Sequence, residues 1–131
     1  MKILNISRRG FTLVEIMIVV AIIALLASIA VPGFLRARKR AQASRIINDL
    51  RLIDSAIDQY AIETNKITGM NPIFTDIKVY IKKGTNLYVT GSDLFGQPYG
   101  PFTVDTVPKV PALTKAALSD VTDGAFWSPF N

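Results

Sequence analysis

The sequence predicts an α+β fold: a long N-terminal α-helix, transmembrane in its first half and amphipathic in its second, packed on a small antiparallel β-sheet with short helices. Three observations predict it. Ile16 to Leu35 is a run of twenty residues whose one polar side chain is Ser28. Ile46, Leu50, Ile53, Ile57 and Tyr60 then recur at spacings of four, three, four and three, the period of one helix face. Asn86 to Thr90 and Phe102 to Val107 alternate apolar with polar residues, the period of half-buried strands.

The apolar run comes first. At about 1.5 Å per residue, a twenty-residue helix spans roughly 30 Å, the thickness of the hydrocarbon layer of a bilayer. A buried core helix is the alternative, but the rest of a 131-residue chain is too small to wrap an all-apolar cylinder. Pro32 and Gly33 interrupt the run, because proline offers no N–H to the carbonyl of Ser28 and its ring crowds that carbonyl. A kink or an opened turn is expected there, and such a pair could equally end the helix, yet good helix formers resume at once.

In the stretch that follows, Arg45, Asp49, Arg51, Asp54, Asp58 and Glu63 fall mostly off the apolar stripe, so this half packs on the C-terminal region by ordinary core contacts. The helix is expected to stop near Asn65, with Gly69 and Pro72 beyond it. Thr75 is the expected cap of a short helix ending at Gly84, with Ile77, Tyr80 and Ile81 on its buried side. The two predicted strands are joined by a Gly91 to Pro101 loop. Pro108 and Pro111 impose extended chain, Leu113 to Val121 forms a last short helix, and Phe126, Trp127 and Phe130 belong to the core.

Charge and composition narrow the function classes. Half of the residues are apolar and the net charge is +5. Residues 1 to 45 carry eight basic side chains against one acid, whereas residues 46 to 131 carry seven against nine. The basicity therefore belongs to the flanks of the apolar run, where Lys and Arg anchor a span to anionic headgroups, and a DNA-binding role for Arg36 to Arg40 is set below that reading. Cysteine and histidine are both absent. That removes disulfides, zinc sites of the usual ligands, thiol nucleophiles and imidazole bases, so no enzyme, catalytic residue, cofactor or metal is assigned.

The remaining signal is the junction. Residues 1 to 10 read MKILNISRRG and are followed by Phe11-Thr12-Leu13-Val14-Glu15. An ionisable Glu15 at the head of a lipid-buried segment costs a few kcal/mol and signals a partner. No basic residue between Phe11 and Leu35 can supply one.

RRG followed by FTLVEIMIVVAIIALLASIAVPGFL resembles the class III prepilin signal of type IV pilins and type II secretion pseudopilins. The resemblance implies a pilin-like fold and a filament subunit. It implies that a prepilin peptidase cuts between Gly10 and Phe11, N-methylates Phe11, and so creates an α-ammonium that pairs with Glu15 of a neighbouring subunit. Pro32 matches the family's helix-breaking proline. The domains implied are a leader at 1–10, a transmembrane and filament-core helix at 11–35, and a globular domain at 36–131 that includes the amphipathic half of the helix. The partners implied are further copies or related pilins, the peptidase, an inner-membrane assembly platform and membrane lipid; no nucleic acid is among them. The location implied is a single-pass inner-membrane protein, leader cytoplasmic and globular part outside, that passes into a pilus or pseudopilus.

Asp93-Leu94-Phe95-Gly96-Gln97-Pro98-Tyr99 is also similar to a loop of the major pseudopilin, a family whose domain often holds calcium. With Asp93 and Asp105 the main acids at hand, the loop reads instead as a β-turn buttressed by Phe95 and Tyr99. One alternative stays open: Ser7 to Leu13 also resembles a twin-arginine export signal, and Ser28-Ile29-Ala30 a signal-peptidase site. The product would then be a soluble periplasmic binding domain beginning near Val31.

Overall fold

The computed structural model describes residues 10–131. Five helical elements follow one another: α1 (Leu13–Thr64), α2 (Phe74–Ile77) running into a 3₁₀ turn (Lys78–Tyr80), α3 (Asn86–Thr90) and α4 (Ala112–Ala117). The chain divides into two compact units between Leu35 and Arg36.

In the first unit, α1 begins at Leu13 and presents its apolar side chains outward: every residue from 10 to 35 is exposed. The helix continues through Pro32, which lies inside it. The Ser28 hydroxyl donates to the carbonyl of Leu25 at 2.7 Å, so the one polar side chain of the run is satisfied within its own helix.

The second unit is built on the later part of α1. Ala43, Ile46, Leu50, Ile53, Ala56 and Ile57 are its buried positions, the stripe expected from the heptad-like spacing, and Tyr60 is packed at the edge of the core. Onto that stripe fold Ile77, Ile81, Leu87, Tyr99, Phe102, Val104, Val110, Leu118, Trp127 and Phe130. Burying each large apolar side chain contributes on the order of 1.5–3 kcal/mol, so this stripe is the main anchor of the C-terminal segment. The helix ends where expected: Asn65 adopts a left-handed φ of 49°, and Lys66 N–H donates to the Ala61 carbonyl at 3.0 Å.

The expected antiparallel β-sheet is not there. Among the described residues there is no strand, only the isolated bridges Ser92–Pro98 and Thr103–Thr106. Asn86 to Thr90 is a helical turn, because its ends outweigh its alternation. The Thr85 hydroxyl caps it by accepting from Tyr88 N–H at 3.2 Å, and Gly91 closes it with a left-handed φ of 62°. Gly91 is fixed by space as well as by φ, since a Cβ there would lie 2.9 Å from the Phe74 ring. Phe102 to Val107 turns on itself at Asp105, which has a φ of 61°. Val104 there exchanges backbone hydrogen bonds with Gly69 and Met70 rather than with the 86–90 segment. The second unit is thus the later part of α1 packed by short helices and turns.

Two smaller expectations also change. Thr75 does not cap α2: the cap is Ile73, two residues earlier, and Asp76 reaches back to accept from Ile73 N–H at 3.0 Å. Of the three residues expected on the buried side, Ile77 and Ile81 are buried, while Tyr80 is half-buried and donates its hydroxyl to Glu63 at 2.7 Å.

Candidate functional site

The junction that the sequence singles out is the head of α1. Gly10 and Phe11 are exposed and precede the helix. Thr12 stands immediately before Leu13 and exchanges two hydrogen bonds with Glu15: Glu15 Oε2 accepts from Thr12 N–H at 2.7 Å, and Thr12 Oγ1 accepts from Glu15 N–H at 3.2 Å. This reciprocal pair is a capping box, in which residues three apart satisfy two orphan donors of the first turn. The motif Thr-x-x-Glu ahead of an apolar run is its sequence signature, and reading Glu15 only as a charge awaiting a partner overlooks it. Glu15 therefore has a local task in the single chain, and its capping role commits one carboxylate oxygen. Of the other candidate residues, Pro32 and Gly33 lie within α1 in an exposed stretch.

The stretch beyond the cap is one face all round. Phe11, Leu13, Val14, Ile16, Met17, Ile18, Val19, Val20, Ile22, Ile23, Leu25, Leu26, Ile29, Val31, Phe34 and Leu35 are each at least half exposed. A soluble surface rarely shows more than a few hundred Å² of contiguous apolar patch, so this helix is made for lipid or for other helices. It is long and apolar enough to cross a membrane.

Residues 6–31 match the family described as the prokaryotic N-terminal methylation motif. The chain carries a prepilin-type N-terminus. Curated relatives agree with that motif. A type II secretion system core protein G of Klebsiella michiganensis is 37% identical over 60 residues, 46% of this chain and 42% of the relative. The protein of the same name from Escherichia coli is 36% identical over 65 residues, 50% of this chain and 45% of the relative. A fimbrial protein of Pseudomonas aeruginosa is 38% identical over 63 residues, 48% of this chain and 41% of the relative. The similarity thus spans less than half of each relative's length. No solved structure matches the chain. The relatives reported are thus core proteins of type II secretion systems and a fimbrial protein.

The second place of interest is the Asp93 loop, and it is organised from within. Asp93 is 3% exposed and sits at the centre of the turn. Its Oδ1 accepts from the N–H groups of Phe95 (2.8 Å) and Gln97 (2.9 Å), and its Oδ2 accepts from the hydroxyl of Thr114, which is fully buried on α4. Phe95 stays exposed, so Asp93 and Tyr99, not Phe95, brace the loop. Tyr99 is buried and donates to Asp49 on α1 at 3.4 Å. Burial, with the carboxylates of Asp49 and Asp93 nearby, pushes the Tyr99 phenol above its ordinary range, and burial also raises Asp49.

This loop does not fit the calcium ion that its resemblance implies. Both oxygens of Asp93 are committed to protein donors, and Asp105 accepts from Thr68 instead of facing the loop. No group of three acidic, histidine or cysteine residues suited to a metal exists among the described residues. A calcium site asks for six to eight oxygens.

Proposed function

We propose that this chain is a filament subunit, of a type IV pilus or of a type II secretion pseudopilus. In this reading a prepilin peptidase cuts after Gly10 and methylates Phe11, and the helix then joins a bundle of its kind through its first half. One observation carries the reading: a prepilin-type motif runs directly into a helix whose apolar surface is exposed all round, with a single carboxylate at its head.

The physical logic is one of two penalties offset together. A carboxylate at the edge of a hydrocarbon layer is costly, and cleavage supplies an α-ammonium that stays largely cationic at neutral pH. Attraction between the two in a low dielectric is strong. The capping box adds a constraint of its own: Thr12 holds Glu15 Oε2 against the helix head, leaving Oε1 to meet a neighbour's amine. Pro32 and Gly33 are where the packed helix opens within the filament. Ala21, Ala24, Ala27, Ser28 and Ala30 let helices approach closely.

On this reading residues 1–10 are cytoplasmic, residues 11–35 cross the inner membrane, and residues 36–131 stand outside it before assembly. Mass spectrometry of the mature N-terminus tests the proposal. A chain beginning with methyl-Phe11 supports it. A mature chain beginning at Met1 or near Val31 overturns it, the latter in favour of an exported soluble domain.

A further inference from the structure

The basic cluster just past the apolar run has a geometry of its own. Arg36 and Arg40 lie one helical turn apart and line, with Ala37, Asp120 and Val121, a shallow cleft of about 420 Å³. Both arginines are exposed. Asp120 is paired chiefly with Lys39, at 2.8 Å in the one ion pair found among the described residues, with Arg36 acting on it more weakly. Two arginines thus line an open, partly apolar cleft whose one acid already has Lys39 as its ion-pair partner. Arg36, Lys39 and Arg40 outnumber the two acids at hand, Asp120 and Asp123, so the patch keeps a net positive charge.

Depth along the membrane normal gives the cleft its meaning. If Ile16 to Leu35 fills roughly 30 Å of hydrocarbon, Arg36 to Arg40 rise through the next 6 Å or so, the thickness of a headgroup layer. Arg45 falls about 14 Å past Arg36, in water. Guanidinium pairs suit phosphate oxygens, which they bind in a fork. Basic residues on the outer side also run against the usual orientation bias of a span, which makes a local anionic partner there useful.

We infer that the Arg36–Arg40 cleft binds the phosphodiester headgroup of an anionic phospholipid, holding the subunit in the outer leaflet until it leaves for the filament. This rests on the membrane-spanning reading above. The shared chemistry is a phosphate oxyanion, and the lipid is favoured over free phosphate because Ala37 and Val121 line the cleft beside the arginines.

The test uses the full chain in nanodiscs containing equal amounts of phosphatidylglycerol and phosphatidylethanolamine, with retained lipids counted by native mass spectrometry. Wild type is expected to keep phosphatidylglycerol in roughly tenfold excess. Arg36→Gln with Arg40→Gln should bring the two lipids to parity, while Arg45→Gln keeps the excess. Trp127 fluorescence confirms that the substituted chains stay folded. Parity in wild type, an excess that survives the double substitution, or loss of the excess in Arg45→Gln overturns the inference. Displacement of the lipid by millimolar inorganic phosphate makes the cleft a free-anion site and overturns the lipid assignment. A chain stripped from the disc by alkaline wash fails the membrane reading as well, whereas a chain that stays inserted at parity fails this inference alone.

Discussion

Removing one hydroxyl tests how the Asp93 loop is held. Thr114→Val keeps the shape of a fully buried side chain but leaves Asp93 Oδ2 without its donor, in a carboxylate that is itself 3% exposed. An unsatisfied buried acceptor costs about 1–3 kcal/mol, and a charged one sits at the top of that range or beyond it. A loss of about 3 kcal/mol is expected, out of the 5–15 typical of a whole domain. Asp93→Ala loses the acceptor of Phe95 N–H and Gln97 N–H too, and is expected to cost a similar amount or more. Once Asp93 is gone, however, Thr114→Val should cost under about 0.5 kcal/mol, because the group it served has been removed. The assay is urea unfolding of the full chain in detergent, followed through Trp127, the single and buried tryptophan. With a slope of roughly 2 kcal/mol per molar urea, the midpoint should drop by about 1.5 M in either single variant. EDTA should leave every midpoint where it is. Additive costs for the two substitutions, a neutral Thr114→Val, or a chelator-sensitive midpoint would refute the reasoning.

Other outcomes follow from features already described. Glu15→Leu should leave membrane insertion and cleavage intact but abolish filaments, read by N-terminal mass spectrometry and electron microscopy; normal filaments would remove Glu15 from its assigned role. Deleting residues 1–35 should give a soluble monomer by light scattering, since the core is drawn from residues 43–130, and persistent aggregation would show that core to be insufficient. Leu50→Ala, at a fully buried position of the α1 stripe, should lower stability by about 2–5 kcal/mol in the urea assay. Asp49 carries a pKa raised above 3.8, chiefly by burial, so the folded state binds its proton more tightly than the unfolded state does. Stability should therefore fall as pH rises from 3.8 through the raised value. Asp49→Asn, which keeps an acceptor for Tyr99, should be more stable than wild type at pH 7 and lose that advantage below about pH 4, checked by midpoints across that range.

What could be read from the chain depended on whether the signal was long or local. The apolar run and the α1 stripe repeat over many residues, so their period survives any tertiary context, and Ile46, Leu50, Ile53 and Ile57 are buried as that period demands. The region after residue 65 offered windows of five or six residues, where alternation is too weak to choose between strand and helix. Thr85 and Gly91, one residue outside the 86–90 window at either end, decided the matter by capping a turn. The Asp93 hub was hidden for another reason: its donor, Thr114, lies twenty-one residues away and no local pattern joins them. The Glu15 cap, by contrast, was fully local. Its two partners, Thr12 and Glu15, stand three residues apart at the head of the apolar run.

Ser28 leaves one more mark on how such helices could meet. With its hydroxyl proton turned back onto Leu25, the stretch from Ile16 to Leu35 shows its neighbours no side-chain donor, and only the Ser28 oxygen as an acceptor. In the proposed filament, polar groups would do little to set the register of side-by-side copies, leaving it to shape at the small residues. On the proposed filament reading, the carboxylate at one tip would be the detent that stops a sliding subunit against the adjacent chain.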